Sequence, residues 1–111
     1  MPEPLELSTE THSDAVLVRC SGRLVAGHTD LLKEQVKPLF APGRRIVLDL
    51  SSLTQMDSMG LGTIVSLYVS AKSAGAHLEL INLGQKIRLL FSMTNLLSVF
   101  EPVGAGTFRL P

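Results

Sequence analysis

The sequence predicts a single α/β domain: a largely parallel central sheet, helices packed against it, and an antiparallel strand at its N-terminal edge. Two observations predict it. Short apolar runs rich in β-branched residues alternate with segments whose apolar residues recur at helical spacing, the pattern of strand–helix–strand crossovers. The 111 residues, 45% of them hydrophobic, are enough for one core, and no linker, repeat or low-complexity stretch divides them. The domain is expected to span residues 1–111, with its core between 5 and 100 and an irregular, glycine-rich tail over 101–111.

The elements follow in order. Leu5-Glu6-Leu7 alternates weakly and reads as an edge strand, joined through a polar turn at Thr11 to Asp14 to the apolar run Ala15–Cys20. Ser21-Gly22 is expected to end that second strand. Leu31, Leu32, Val36 and Leu39 recur at helical spacing, with Thr29 or Asp30 as N-cap and Ala41-Pro42-Gly43 as terminator. Arg45-Ile46-Val47-Leu48-Asp49-Leu50 is the clearest strand, and its near-continuous apolar character predicts burial on both faces. A second helix runs from about Ser58 to Ser73, with Leu61, Ile64, Val65, Tyr68 and Ala71 as its buried stripe and Gly75 just past its end. His77 to Asn82 reads as a strand, Ile87, Leu90 and Phe91 mark a short helix, and Leu96 to Phe100 a last strand.

Composition narrows the function. Ten basic and ten acidic residues give zero formal net charge, which argues against an electrostatic grip on nucleic acid or an anionic membrane. Trp is absent and aromatics are 5%, so little is available for base stacking. The N-terminus lacks a basic region followed by an apolar run, no segment approaches a membrane span, and the single Cys20 excludes an internal disulfide; the cytoplasm is the default address. His12, His28 and His77 are scattered without metal-ligand spacing, and His28 reads as a surface residue. Cys20, closing an apolar strand, reads as a small core residue. Neither a metal nor a cofactor is expected.

The informative segment is Leu48-Asp49-Leu50-Ser51-Ser52-Leu53-Thr54-Gln55-Met56-Asp57-Ser58-Met59-Gly60-Leu61-Gly62: a strand, a short loop, and a polar pair opening a helix. A helix start carries unpaired N–H groups and the positive end of the macrodipole. From residue types alone, Asp57 or Ser58 reads as an N-cap. Gly60 and Gly62 stand where a side chain would crowd an approaching backbone or ligand. Gly60-Leu61-Gly62 lacks the third glycine and the acid of a dinucleotide motif. Met56 occupies the first glycine position of a nucleophile elbow, so an enzyme reading is not supported.

The run Met56-Asp57-Ser58-Met59-Gly60-Leu61-Gly62 resembles the D-S-x-G-[LM]-G segment of the STAS family, specifically the bacterial anti-sigma factor antagonists, or anti-anti-sigma factors. Ser21-Gly22-Arg23-Leu24 and Leu32-Lys33-Glu34-Gln35-Val36 resemble that family's first turn and first helix. Ile46 to Leu50 resembles its central strand, and Lys86 to Met93 its K-R-L-F-x-M helix. The resemblance covers roughly Leu7 to Phe100. It implies a non-enzymatic binding switch in which Ser58 is the phosphorylation site and Val25, Asp57, Ser58, Met59 and Gly60 meet the partner. The implied partners are an anti-sigma factor with serine kinase activity, sequestered so that a sigma factor is released, and a serine/threonine phosphatase that resets the system. A homodimer stays open. Phosphate adds about −1.5 to −2 charges, and a helix N-terminus is a place where such an anion can rest.

Two departures stand out. Many members carry acids in a G-E-L-D-like turn beside the serine, and here Arg23 and Val25 replace them. The glycine-rich tail stands where the family often has a final helix. Both keep a second reading in view, a scaffolding or ligand-binding STAS subunit of a transporter or signalling complex.

Overall fold

The computed structural model describes residues 4–13 and 15–93, with the backbone of 101–102 and 107–109. Six strands and three α-helices are formed by the described residues: β1 (Glu6–Thr11), β2 (Ala15–Leu24), α1 (Thr29–Val36), β3 (Arg45–Met56), α2 (Ser58–Ala74), β4 (His77–Ile81), α3 (Gln85–Met93), β5 (Glu101–Pro102) and β6 (Thr107–Arg109). The sheet order is β1-β2-β3-β4-β6-β5. β2, β3 and β4 run parallel, as expected of strands joined by helical crossovers. β1 pairs antiparallel with β2, the predicted N-terminal edge.

The far edge differs from expectation. β6 pairs antiparallel with β4 and β5 with β6, so backbone from the segment read as an irregular tail extends the sheet. Unpaired N–H and C=O groups on β4 are the physical reason, since a glycine-rich chain can satisfy them without any apolar periodicity of its own. The strand expected at Leu96 to Phe100 lies outside the described residues, as does Asp14 in the first turn.

One core joins the sheet to all three helices. It takes Val16, Val18, Cys20 and Leu24 from β2, Ile46, Leu48 and Leu50 from β3, and Leu78 and Leu80 from β4. Leu32 and Val36 of α1, Leu61, Ile64, Leu67 and Ala71 of α2, and Ile87 and Phe91 of α3 complete it. On β3 the even-numbered residues from Ile46 to Leu50 enter this core, while on the other face Val47 is half-buried and Asp49 is a buried carboxylate. The alternate positions carry charge. Arg19 pairs with Asp49 at 3.6 Å, and Arg45 pairs with the buried Glu79 of β4. Asp49 also accepts hydrogen bonds from Ser51 N–H at 3.0 Å and Asn82 Nδ2 at 3.2 Å. Burial pushes its carboxyl up, but these donors and Arg19 outweigh it and hold it below the usual value. A carboxylate is tolerated at this buried position because it is paired and hydrogen-bonded.

The buried stripe of α2 is rotated slightly from the predicted one. Leu61, Ile64 and Ala71 are buried as expected, but Leu67 takes the central place and Val65 and Tyr68 are half-buried. Its C-terminus is as read, with Gly75 left-handed at φ 74° and its N–H on the last carbonyls. α1 ends earlier than expected, at Val36, and a 3-10 turn covers Lys37–Leu39. Pro38 contributes: it has no N–H to continue the i→i−4 ladder, although Lys37 before it keeps α geometry at φ −53°, ψ −43°.

Candidate functional site

β2 and β3 are both longer than the sequence suggests, and that places the site. Ser21-Gly22 does not end β2. Gly22, at φ +89°, sits at a register shift where the strand bends and continues to Leu24. A β-carbon there would come 2.0 Å from the carbonyl oxygen of Pro4, so glycine is required. β3 runs alongside to Met56, with Leu24 opposite Met56. The expected loop from Ser51 to Gln55 is therefore strand, and the step from sheet to α2 is Asp57 alone.

Asp57 is the N-cap of α2. Its Oδ1 accepts the N–H of Gly60 at 2.9 Å, and its main-chain oxygen accepts the N–H of Leu61 at 3.0 Å. Oδ2 accepts the N–H of Ala26 at 3.0 Å, in the turn between β2 and α1. Burial raises the Asp57 carboxyl pKa, but the N–H donors of Ala26, Gly60 and Met59 prevail and keep it below the ordinary aspartate value. It is an anion at neutral pH with both oxygens engaged, so it caps the helix and is not free to act as a base toward Ser58.

Ser58 is the first helical residue and is exposed, and its hydroxyl has no partner among the described residues. Met59 beside it is 59% exposed. Gly60 is buried, and a β-carbon on it would lie 2.1 Å from the carbonyl oxygen of Leu24. Crowding at that position is thus real, and it comes from the end of β2. Gly62 has no atom within 4 Å of the corresponding point, so the same expectation fails there. The helix end is also less open to an added anion than its residue types suggest, because the Asp57 carboxylate already holds the N–H groups of Met59 and Gly60.

Val25 is 8% exposed, with its side chain in the protein interior. Of the residues expected to meet the partner, Val25 and Gly60 are the two that are buried. The Val25 carbonyl oxygen accepts the N–H of His28 at 3.0 Å, closing the turn that carries Ala26. His28, not Thr29 or Asp30, stands at the N-cap of α1, without a side-chain capping bond. It is half-buried rather than a surface residue, and its Nδ1 is buried without a hydrogen-bond partner among the described residues.

Arg23 lies opposite Gln55 and donates from Nε to its Oε1 at 3.0 Å. Gln55 in turn lines an open groove of about 690 Å³ with Leu53, Thr54, Met56 and the start of α3, Gly84 to Ile87. Leu89 and Met93 of α3 are exposed, at 59% and 74%. This groove and Arg23 adjoin the Asp57–Ser58 step, and sequence reading did not single out the groove because its two walls are 28 residues or more apart in the chain. Cys20 is fully buried, and burial first, then the Asp49 charge, pushes its thiol up to about 12, so it is packing and not a nucleophile. Among the described residues, no cluster of His, Cys, Asp or Glu has metal-binding geometry, and no helix is long and apolar enough to cross a membrane.

The sequence profile of the STAS domain family matches residues 6–108. An anti-sigma-B factor antagonist of Bacillus subtilis is 26% identical over 97 residues, which cover 87% of this chain and 89% of that one. Among solved structures, an anti-sigma factor antagonist from Mycobacterium paratuberculosis superposes with a TM-score of 0.78 at 20% identity, covering 91% of this chain and 86% of the other. The Bacillus cell fate determinant SpoIIAA in its phosphorylated form superposes with a TM-score of 0.65 at 19% identity, covering 84% and 86%. At these identities the two superpositions speak for the fold.

Proposed function

Because the chain belongs to the STAS domain family, we propose that it is an anti-sigma factor antagonist whose binding is switched by phosphorylation of Ser58. The observation that carries this reading is the presentation of Ser58: an exposed, unpartnered hydroxyl at the first position of a helix fixed by Asp57 and by the contact of Gly60 with Leu24. A kinase needs such a hydroxyl accessible and held in place. Asp57, Ser58 and Met59 form the central surface, and the buried Gly60 and Val25 support it from inside.

The unmodified chain binds an anti-sigma factor with serine kinase activity in the cytoplasm and keeps it from its sigma factor. The kinase's ATP then supplies the phosphoryl group. The Ser58 Oγ–P bond forms as the γ-phosphate leaves ADP, and the hydroxyl proton passes to a base on the kinase. The added charge, about −1.5 to −2, falls beside the Asp57 carboxylate on a surface that had met the partner as a neutral hydroxyl, and docking is opposed. A serine/threonine phosphatase restores the hydroxyl.

The experiment is calorimetric titration of the unmodified, phosphorylated and Ser58→Glu chains against the anti-sigma factor of the same organism, with intact-mass analysis of the kinase reaction. Phosphate is expected on Ser58 with at least tenfold weaker binding, and a smaller loss is expected for Ser58→Glu. Equal affinity for all three forms would overturn the switch and favour a scaffolding STAS subunit.

A further inference from the structure

Asp57 joins two parts of the protein through one carboxylate. Oδ1 takes the N–H of Gly60 inside the cap of α2, while Oδ2 takes the N–H of Ala26, 31 residues away in the chain. Beside this turn the Asp57 N–H also reaches Leu24 O, at 3.4 Å, and the Val25 side chain is buried, but Ala26 itself is held among the described residues by Oδ2. His28 N–H reaches Val25 O at 3.0 Å, and His28 contributes no side-chain cap. Ala26 and Gly27 are exposed, so the shape of this turn is part of the surface beside Ser58.

We infer that Asp57 is the positioning residue through which modification of Ser58 reaches the turn at residues 25–28. A phosphate on Ser58 competes with the carboxylate for the first-turn N–H groups of α2, and the displaced carboxylate releases Ala26. This rests on the reading of Ser58 as the phosphate acceptor. The competition follows from the donors available. Gly60 N–H is taken by Asp57 Oδ1 and Met59 N–H also serves this carboxylate, while Leu61 N–H makes the ordinary helical bond to the Asp57 main-chain oxygen. A helix N-terminus favours an anion, but two neighbouring anions repel and cannot share one set of donors. The phosphate brings more charge and three acceptor oxygens against the two of a carboxylate. Phosphorylation therefore alters the partner surface at two places, the serine and the Ala26-Gly27 turn.

The test uses the full chain with phosphoserine incorporated at position 58 during synthesis, compared with the unmodified chain by amide hydrogen exchange in ¹⁵N–¹H NMR. Ala26 is remote in sequence from Ser58, so its intrinsic exchange rate is unaffected by the phosphate. Its exchange is expected to accelerate at least tenfold in the phosphorylated chain, with the Arg44 amide, bonded to Ala41 O at 3.0 Å in a distant turn, unchanged. In Asp57→Ala, Ala26 should exchange fast with or without phosphate. Asp57→Asn, which keeps one acceptor oxygen, should restore protection to one of the two amides. An Ala26 amide that exchanges within twofold of the unmodified rate in the phosphorylated chain would overturn the coupling. That comparison stands even if Asp57→Ala does not fold. A kinase reaction that leaves Ser58 unmodified would instead overturn the reading of the site and leave the coupling decided by the incorporated phosphoserine.

Discussion

The same substitution two residues apart in α2 is expected to act with opposite signs. Gly62→Ala places its β-carbon in open space, with no atom within 4 Å, at an exposed helical position. Alanine is favoured over glycine in a helix interior by about 0.5–1 kcal/mol, through the smaller backbone entropy lost on folding. Gly60→Ala gains the same propensity but drives its β-carbon to 2.1 Å from the Leu24 carbonyl oxygen and 3.0 Å from its carbon. Ordinary contact needs roughly 1 Å more, and both atoms belong to backbone held by the sheet and by the helix cap. Forcing extra volume into such a place costs about 1–3 kcal/mol, and more where the backbone must move, so Gly60→Ala should be destabilised by about 1–2 kcal/mol net. At the scale of this domain, a kilocalorie moves the melting temperature by roughly 3–6 °C. Thermal denaturation followed by circular dichroism should therefore place Gly62→Ala a few degrees above the parent and Gly60→Ala several degrees below it. Gly60→Ala melting at or above the parent temperature would refute the close approach of β2 to α2, and with it the claim that this contact holds Ser58 in place.

Because Ser58 is the first helical residue and Asp57 is the cap, Ser58→Ala should leave stability within about 0.5 kcal/mol of the parent, whereas Asp57→Ala should lose about 1–2 kcal/mol; urea denaturation separates them, and equal losses would reassign the cap. The Asp49 and Asp57 pKa values are both lowered from the ordinary 3.8, so the stability they contribute is fully present above about pH 4 and is lost as pH falls through the folded-state values. Urea midpoints at pH 7, 5 and 3 should thus drop in acid, and the drop should shrink in Asp49→Asn and in Asp57→Asn. Ile46→Asp, at a position with no exposure, should abolish the cooperative transition, while half-buried Val47→Asp should stay folded with reduced stability; identical behaviour would contradict the difference in burial between these two positions.

Much of this protein was determined by the sequence alone, wherever the governing contacts are local. The apolar runs at Ala15–Cys20 and Ile46–Leu50 and the spacing of Leu61, Ile64 and Ala71 fix strands and helix because side-chain direction follows the backbone period. Asp57 caps α2 through a bond to a residue three positions on, and Gly75 ends it within one turn. The order of these signals, read with the resemblance of the Asp57–Gly62 segment, was enough for the family. Only the tertiary structure decided that β2 and β3 extend together to the brink of α2, that Val25 is buried, and that the buried Asp49 and Glu79 meet arginine partners. It also decided that Gly60 abuts Leu24, that Asp57 reaches back to Ala26, and that residues 107–109 pair with β4. Each of these joins residues about 30 positions apart, or leaves a strand edge for a distant segment to fill. Local propensity says nothing about which distant backbone arrives, because that depends on how the whole core packs.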